Sequence, residues 1–183
     1  MKKLVYLLIF SALIVSFTSC KDDNKIDAAW RDANLAYYDS IATAPDYKAL
    51  KRDTEGAPTG VYYHIIKSGE RTEHSEYPFQ TSKVKVRYSG TYYDGTVFFA
   101  GTSNGIATEL FVNSQTIPRG LSFALQNMIV GDVWDICIPY YLGYGASGYT
   151  VSDYYSYSYQ TIIKGYSTLN YKVELVSITL YPN

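Results

Sequence analysis

Four segments between Val61 and Leu175 alternate apolar and polar residues with a period of two, and this limits the fold more than any other feature. Val61, Tyr63 and Ile65 alternate with Tyr62, His64 and Ile66, and Val84, Val86 and Tyr88 with Lys85, Arg87 and Ser89. Trp134, Ile136 and Ile138 alternate with Asp135 and Cys137, and Leu169, Tyr171, Val173 and Leu175 form the last such run. A period of two places every second side chain on one face, which is the signature of a half-buried strand. Asp94-Gly95 lies between the second run and Val97-Phe98-Phe99. That pair suits a hairpin turn, because the turn that matches sheet twist needs positive φ. Glu109 to Val112 reads as a further short strand, and residues 100–107 and 139–168 as loops. Only Gly120 to Met128 breaks the pattern, with Leu121, Ala124, Leu125 and Met128 on one helical face. The expected fold is α+β, an antiparallel five- to six-stranded sheet packed on one short helix.

The first part of the chain is built differently. Lys2 and Lys3 precede an uncharged run from Leu4 to Phe17, and Thr18-Ser19-Cys20 follows. A positive start, a short apolar stretch and small residues before a cut point make a secretory signal pattern. The run is shorter than the roughly 18 residues of a membrane-spanning helix. Phe17-Thr18-Ser19-Cys20 resembles the lipobox of bacterial lipoproteins, with Phe17 where Leu is usual; the alternative is a plain secretory signal with an incidental cysteine. The resemblance implies lipidation of Cys20 and anchoring to the outer membrane of the cell envelope, facing the periplasm or the cell surface. Lys21-Asp22-Asp23 is similar to the surface-export signal of Bacteroidetes lipoproteins. Residues 26–43 predict a helix with Ile26, Trp30, Ala33, Tyr37 and Ile41 along one face. Residues 44–60, with Pro45, Pro58 and Gly60 among charges, read as a linker.

Charge and residue inventory exclude several functions. Without residues 1–19 the chain keeps 14 basic and 17 acidic residues, a net charge of −3, so no basic field for nucleic acid is expected. The two histidines, His64 and His74, sit in a strand pattern and a polar loop, which leaves little material for a His-based triad or a zinc site. No metal or cofactor is expected. Gly143-Tyr144-Gly145 lacks the strand–helix context of a dinucleotide loop. Cys137 points away from Ile136 and Ile138 along its strand and reads as an inert packed thiol. The excess is in tyrosine, 21 residues against 7 Phe and 2 Trp. Tyrosine serves both half-buried strands and recognition surfaces.

Three ordered segments carry a family resemblance. Val84-Lys85-Val86-Arg87-Tyr88-Ser89-Gly90 leads into Asp94-Gly95-Thr96-Val97-Phe98. Ile117-Pro118-Arg119-Gly120-Leu121 is followed by Val130-Gly131-Asp132, Ile138-Pro139 and Leu142-Gly143-Tyr144-Gly145. Leu169-Asn170-Tyr171-Lys172-Val173-Glu174-Leu175 closes the set. Together they resemble the FKBP-type peptidyl-prolyl cis-trans isomerases over about residues 60–180. The resemblance implies a sheet curled around the helix, with an apolar pocket on its concave face. It divides the chain into a lipoprotein signal peptide at 1–19, a tether, short helix and linker at 20–60, and an FKBP-like domain at 61–183.

By the same resemblance, Tyr88, Phe98 and Tyr144 are the catalytic residues, and Phe99, Ile117, Leu121, Ile163 and Tyr171 line the substrate site. Tyr144 matches the tyrosine whose hydroxyl donates to a substrate carbonyl. Leu121 stands where the family most often has Trp, and Tyr171 where it has Phe. Phe99 replaces a family Asp that pairs with the tyrosine matched by Tyr88. Residues 150–161 form an insertion rich in Tyr and Ser, suited to an additional partner. Two readings of function therefore stand. One is a prolyl isomerase acting on proline-containing polypeptides during folding of exported proteins. The other is a catalytically weak binding module that uses the pocket rim and the Tyr-rich loop to hold a protein or glycan. Phe99 and the insertion favour the second; Tyr144, Phe98 and the pocket pattern favour the first.

Overall fold

The computed structural model describes residues 27–52, 56–73, 75–101, 105–153 and 158–179, with the side chains of 152–161 excepted. The expected signal peptide, Cys20, the export signal at Lys21-Asp22-Asp23, and His74 lie outside the described residues. The elements in chain order are α1 (Ala28–Ala42), β1 (Lys48–Lys51), β2 (Pro58–Lys67), β3 (Lys83–Thr91), β4 (Val97–Phe99) and β5 (Thr108–Phe111). They continue with α2 (Arg119–Leu125), β6 (Val133–Ile138), a 3-10 turn at Tyr140–Leu142, β7 (Tyr149–Asp153), β8 (Ser158–Ile163) and β9 (Leu169–Thr179). No described helix is long and apolar enough to cross a membrane.

The main sheet is antiparallel, in the order β1-β2-β6-β9-β3-β4, with β5 also on β3. It has seven strands where the hydrophobic pattern predicts five or six. The extra one is β1, which falls inside the segment 44–60 expected as a linker. Its four residues, Lys-Ala-Leu-Lys, bury only Leu50, too few apolar positions for alternation to register. The second correction concerns 139–168. That loop holds the hairpin β7–β8, paired from Tyr149↔Ile163 to Asp153↔Ser158. Tyr and Ser in mixed order leave no two-sided hydrophobic pattern there, so alternation does not reveal these strands.

The core follows the alternation. Val84 and Val86 of β3, Trp134, Ile136 and Ile138 of β6, and Leu169, Tyr171, Val173 and Leu175 of β9 all bury on one face. Against them α2 places Leu121, Ala124 and Leu125, and Met128 follows just beyond its end. Each such aliphatic side chain contributes roughly 1.5–3 kcal/mol on burial. Close approach explains Gly120: a Cβ there would stand 2.5 Å from Ile138 Cγ2. One carboxylate anchors this packing. Asp132 is fully buried and accepts from the backbone N–H of Gly69 at 2.8 Å and of Ile129 at 2.9 Å. Arg71 donates to both its oxygens at 3.1 Å.

Helix α1 is part of the same body. Asp27 caps it, accepting from Ala29 N–H. The expected face at Trp30, Ala33, Tyr37 and Ile41 is half-buried, and Asn34 sits fully buried within it. Asn34 Oδ1 accepts from Thr168 N–H at 2.7 Å, and the Asn34 carbonyl accepts from the Thr168 hydroxyl at 3.0 Å. Trp30 Nε1 donates to the Gly165 carbonyl, and the Tyr38 hydroxyl to the Gly60 carbonyl at 2.7 Å. A hydrophobic pattern does not reveal an element docked by an asparagine. Tyr37, Tyr38 and Tyr47 come within electrostatic range of the Cys137 thiol, which is fully buried. Burial pushes that thiol up to about 12. A chain beginning at residue 21 is therefore expected to resist thiol-reactive disulfide reagents at about pH 8 and to react only on unfolding, since the thiolate is the nucleophile. Reaction of the folded chain would contradict this placement.

Candidate active site

The concave face at the β3–β9 end of the sheet carries an aromatic wall. Tyr88 comes from β3, Phe98 and Phe99 from β4, and Tyr171 from β9. In the sheet Gly90 lies opposite both Phe99 and Tyr171, and Tyr88 opposite Val173, so the rings converge. The Phe98 ring meets Tyr171 edge-on with centroids 5.5 Å apart at 81°. Tyr88 lies 6.2 Å from Tyr171 and 4.7 Å from Phe99. Edge-to-face and tilted pairs at these separations are favourable and fix ring orientation. Gly90 makes room for the wall: a Cβ there would fall 2.3 Å from Phe98 Cζ.

The remaining expected residues close the base and one side. Leu121, the third residue of α2, is 1 % exposed, and Ile117, Ile163 and Tyr171 are buried in the same cluster. Tyr88, Phe98 and Tyr144 pack half-buried against that cluster. Tyr144 follows the 3-10 turn after β6, and its hydroxyl donates to the Thr116 carbonyl at 3.4 Å, a long bond that a better acceptor could replace. Its ring lies 5.3 Å from Tyr149 of the hairpin.

The phenols are kept neutral. Burial, before any other influence, raises Tyr88, Tyr144 and Tyr171 above their ordinary value, and the Tyr144 hydroxyl raises Tyr171 further. The protonated hydroxyl is the hydrogen-bond donor, so the donor persists to higher pH than in a free tyrosine. The sign for stability is the same: a phenol raised by folding favours the folded state below the free value and loses that contribution as pH rises past it.

Phe99 occupies the position where the family resemblance calls for Asp, and it presents a ring to Tyr88 instead of a carboxylate. One wall residue escaped the sequence reading. Tyr92 is 9 % exposed, its ring lies 5.1 Å from Phe98 and 5.2 Å from Trp30, and its hydroxyl donates to the Ile162 carbonyl. It continues the parity of Tyr88 and Gly90, and that signal was available; the turn at Asp94-Gly95 masked it.

Known proteins resemble this chain in sequence and in fold. The family model described as FKBP-type peptidyl-prolyl cis-trans isomerase matches residues 75–176. The FKBP-type 22 kDa peptidyl-prolyl cis-trans isomerase of Escherichia coli K12 is 35 % identical over 130 residues, covering 71 % of this chain and 55 % of the relative. The outer membrane protein MIP of Legionella longbeachae is 39 % identical over 88 residues, covering 48 % of this chain and 35 % of its own length. A solved peptidyl-prolyl cis-trans isomerase of Pseudomonas syringae superposes with a TM-score of 0.66 at 23 % identity, covering 85 % of this chain and 99 % of that one, a likeness of fold. The chain thus spans about half the length of the first of these relatives. With the family match running from the loop before β3 into β9, this chain belongs to the FKBP-type peptidyl-prolyl cis-trans isomerases.

Proposed function

We propose that the chain accelerates cis–trans isomerisation of X–Pro bonds in polypeptides of the cell envelope. The observation that supports this most is the wall of Tyr88, Phe98 and Tyr171 facing the Tyr144 hydroxyl. Rotation about an X–Pro bond is opposed by amide resonance, with a barrier of about 18–20 kcal/mol. No nucleophile or acid is needed. A site accelerates rotation if it holds the twisted imide more tightly than either planar form. The twisted form has less charge separation and tolerates an apolar site. In this reading Phe98, Tyr171 and Leu121 enclose the proline ring, while Ile117 and Ile163 keep the site dry. Tyr144 exchanges its long bond to Thr116 for the substrate carbonyl, holding one side of the imide while the other turns. Phe99 and Tyr88 together form the outer wall, with ring contact replacing the family's carboxylate–hydroxyl pair.

Lipidation of Cys20 would hold this domain at the outer membrane, and the Tyr- and Ser-rich segment 150–161 would suit an additional partner. Several acyl chains anchor stably, because each buried methylene contributes roughly 0.8 kcal/mol.

The test is a proline-peptide isomerisation assay on residues 21–183. Tyr144→Phe is expected to lower kcat/KM by about tenfold, the loss of one hydrogen bond made in the transition state. Unchanged activity would remove the hydroxyl from the mechanism. The rate is expected to stay level from neutral pH to about pH 10, because the raised phenols remain protonated there. A fall below pH 10 would contradict that. No acceleration by the wild type at all would leave the second reading, a binding scaffold whose pocket lost catalysis with the Asp that Phe99 replaces.

A further inference from the structure

Two clefts adjoin on the far side of α2 from the aromatic wall. One, of about 750 Å³, lies among β1, Tyr63, Ile65, Arg71, Asn127 and Trp134. The other, of about 640 Å³, lies between the Tyr77-Pro78-Phe79 turn and the α2 face bearing Arg119, Ser122 and Phe123. They share Lys51, Arg52 and Asn127, and none of the residues of the isomerase wall lines either.

Their charge is one-sided among the described residues. Lys48, Lys51, Arg52, Arg71 and Arg119 line them, and no described Asp or Glu does. All five are exposed. Arg71 is matched by Asp132, but the other four make no ion pair among the described residues. Elsewhere on the sheet Lys83, Lys85 and Arg87 are each matched by Glu109 or Glu174. Lys67, Lys164 and Lys172 also make no ion pair among the described residues, but they are spread over the surface, whereas four such cations share this one concave groove. Lysine on an outer strand such as β1 is a common guard against edge pairing. That accounts for Lys48 and Lys51, and Arg119 lies over the Phe123 ring at 5.3 Å, but neither explains Arg52 or the exposed aromatics beside it. Phe79 is 67 % exposed and Tyr77 46 %.

We propose that these clefts form a docking site for an acidic, aromatic-bearing segment of polypeptide, separate from the isomerase pocket. The carboxylates of such a segment would meet Lys51, Arg52 and Arg119. Its apolar side chains would meet Phe79 and the Tyr63–Trp134 stack, whose rings lie 4.3 Å apart. Its backbone would find the outer edge of β1, which pairs with no further strand among the described residues. The concave shape favours a chain over a membrane surface, which could reach only the rim.

The experiment uses the full chain and a fluorescein-labelled peptide alternating glutamate with phenylalanine, followed by anisotropy at low and high salt. Salt-sensitive binding is expected, with the double variant K51E/R52E weakening it by about tenfold or more. The double variant K164E/K172E makes the same change in net charge elsewhere and should leave binding intact. On the wild type, peptide addition should shift the indole N–H resonance of Trp134 and not that of Trp30, a readout independent of any variant. Isomerisation of a short uncharged proline peptide should be unaffected by K51E/R52E, which separates this site from the pocket. No peptide binding, equal losses in the two double variants, a shift confined to Trp30, or binding only to phosphatidylglycerol vesicles would each overturn the proposal.

Discussion

Asp132→Ala is expected to lower the unfolding free energy by about 3 kcal/mol, the largest stability effect of any single substitution considered. The carboxylate has no exposure and holds two backbone N–H groups and one guanidinium. Removing it strands the Gly69 and Ile129 N–H groups at roughly 1–3 kcal/mol each when buried and unsatisfied. Arg71, 41 % exposed at its side chain, can turn into water, which keeps the loss below that of a fully buried pair. The position also matters for topology. Gly131 N–H donates to the Leu175 carbonyl and Leu175 N–H to the Asp132 carbonyl, so the turn that starts β6 is stitched to β9. Urea unfolding checks this: the midpoint should fall while the slope stays constant. Asp132→Asn keeps one acceptor and the shape, and should lose less. A midpoint within error of wild type for Asp132→Ala would show that the turn is held by packing alone.

Gly90→Ala is expected to reduce isomerase kcat/KM by about tenfold to a hundredfold while the chain remains folded. The added Cβ would stand 2.3 Å from Phe98 Cζ and 2.5 Å from Cε2, distances no structure tolerates. The atoms met are the far end of a side chain, so the ring moves rather than the sheet. Phe98 then leaves its contacts with Tyr92 and Tyr171 and intrudes on the space proposed for the proline. Each tenfold in rate corresponds to about 1.4 kcal/mol of transition-state binding, within reach of one misplaced ring. Overpacking of this kind costs about 1–3 kcal/mol of stability. A double-mutant cycle with Phe98→Ala separates the causes. With the ring gone, Gly90→Ala should cost little further stability. An equal cost in both backgrounds would place the strain in the strand backbone and not in the pocket wall.

How far the residues alone reveal this protein depends on what kind of signal each element leaves. β3, β6 and β9 are legible because each buries one face in the core that α2 also joins, and burial imposes a period of two over five or more positions. Tyr88 and Tyr171 share the parity of the buried positions on β3 and β9, and Leu121 lies on the apolar face of α2, whereas Phe98, on a three-residue strand, is singled out only by the family resemblance. β1 is not, because a four-residue edge strand with one buried side chain leaves no period. The docking of α1 is not, because it runs through Asn34 and Thr168, two polar residues whose mutual hydrogen bonds exist only when segments 134 positions apart meet. Tyr92 is intermediate: its parity was readable, but its contacts with Trp30 and Ile162 come from elements distant in sequence.

Alternation and turn chemistry, which are local, thus determined the α+β class, most of the strands and which side chains face the helix. Tertiary structure alone decided that the Phe99 ring packs against Tyr88. It also decided that Lys51, Arg52 and Arg119 share one groove while Lys83 and Lys85 find Glu109. The physical reason is range: steric preference and burial period act between near neighbours, whereas ring contacts, ion pairs and unmatched charge depend on which distant segments the closed sheet brings together.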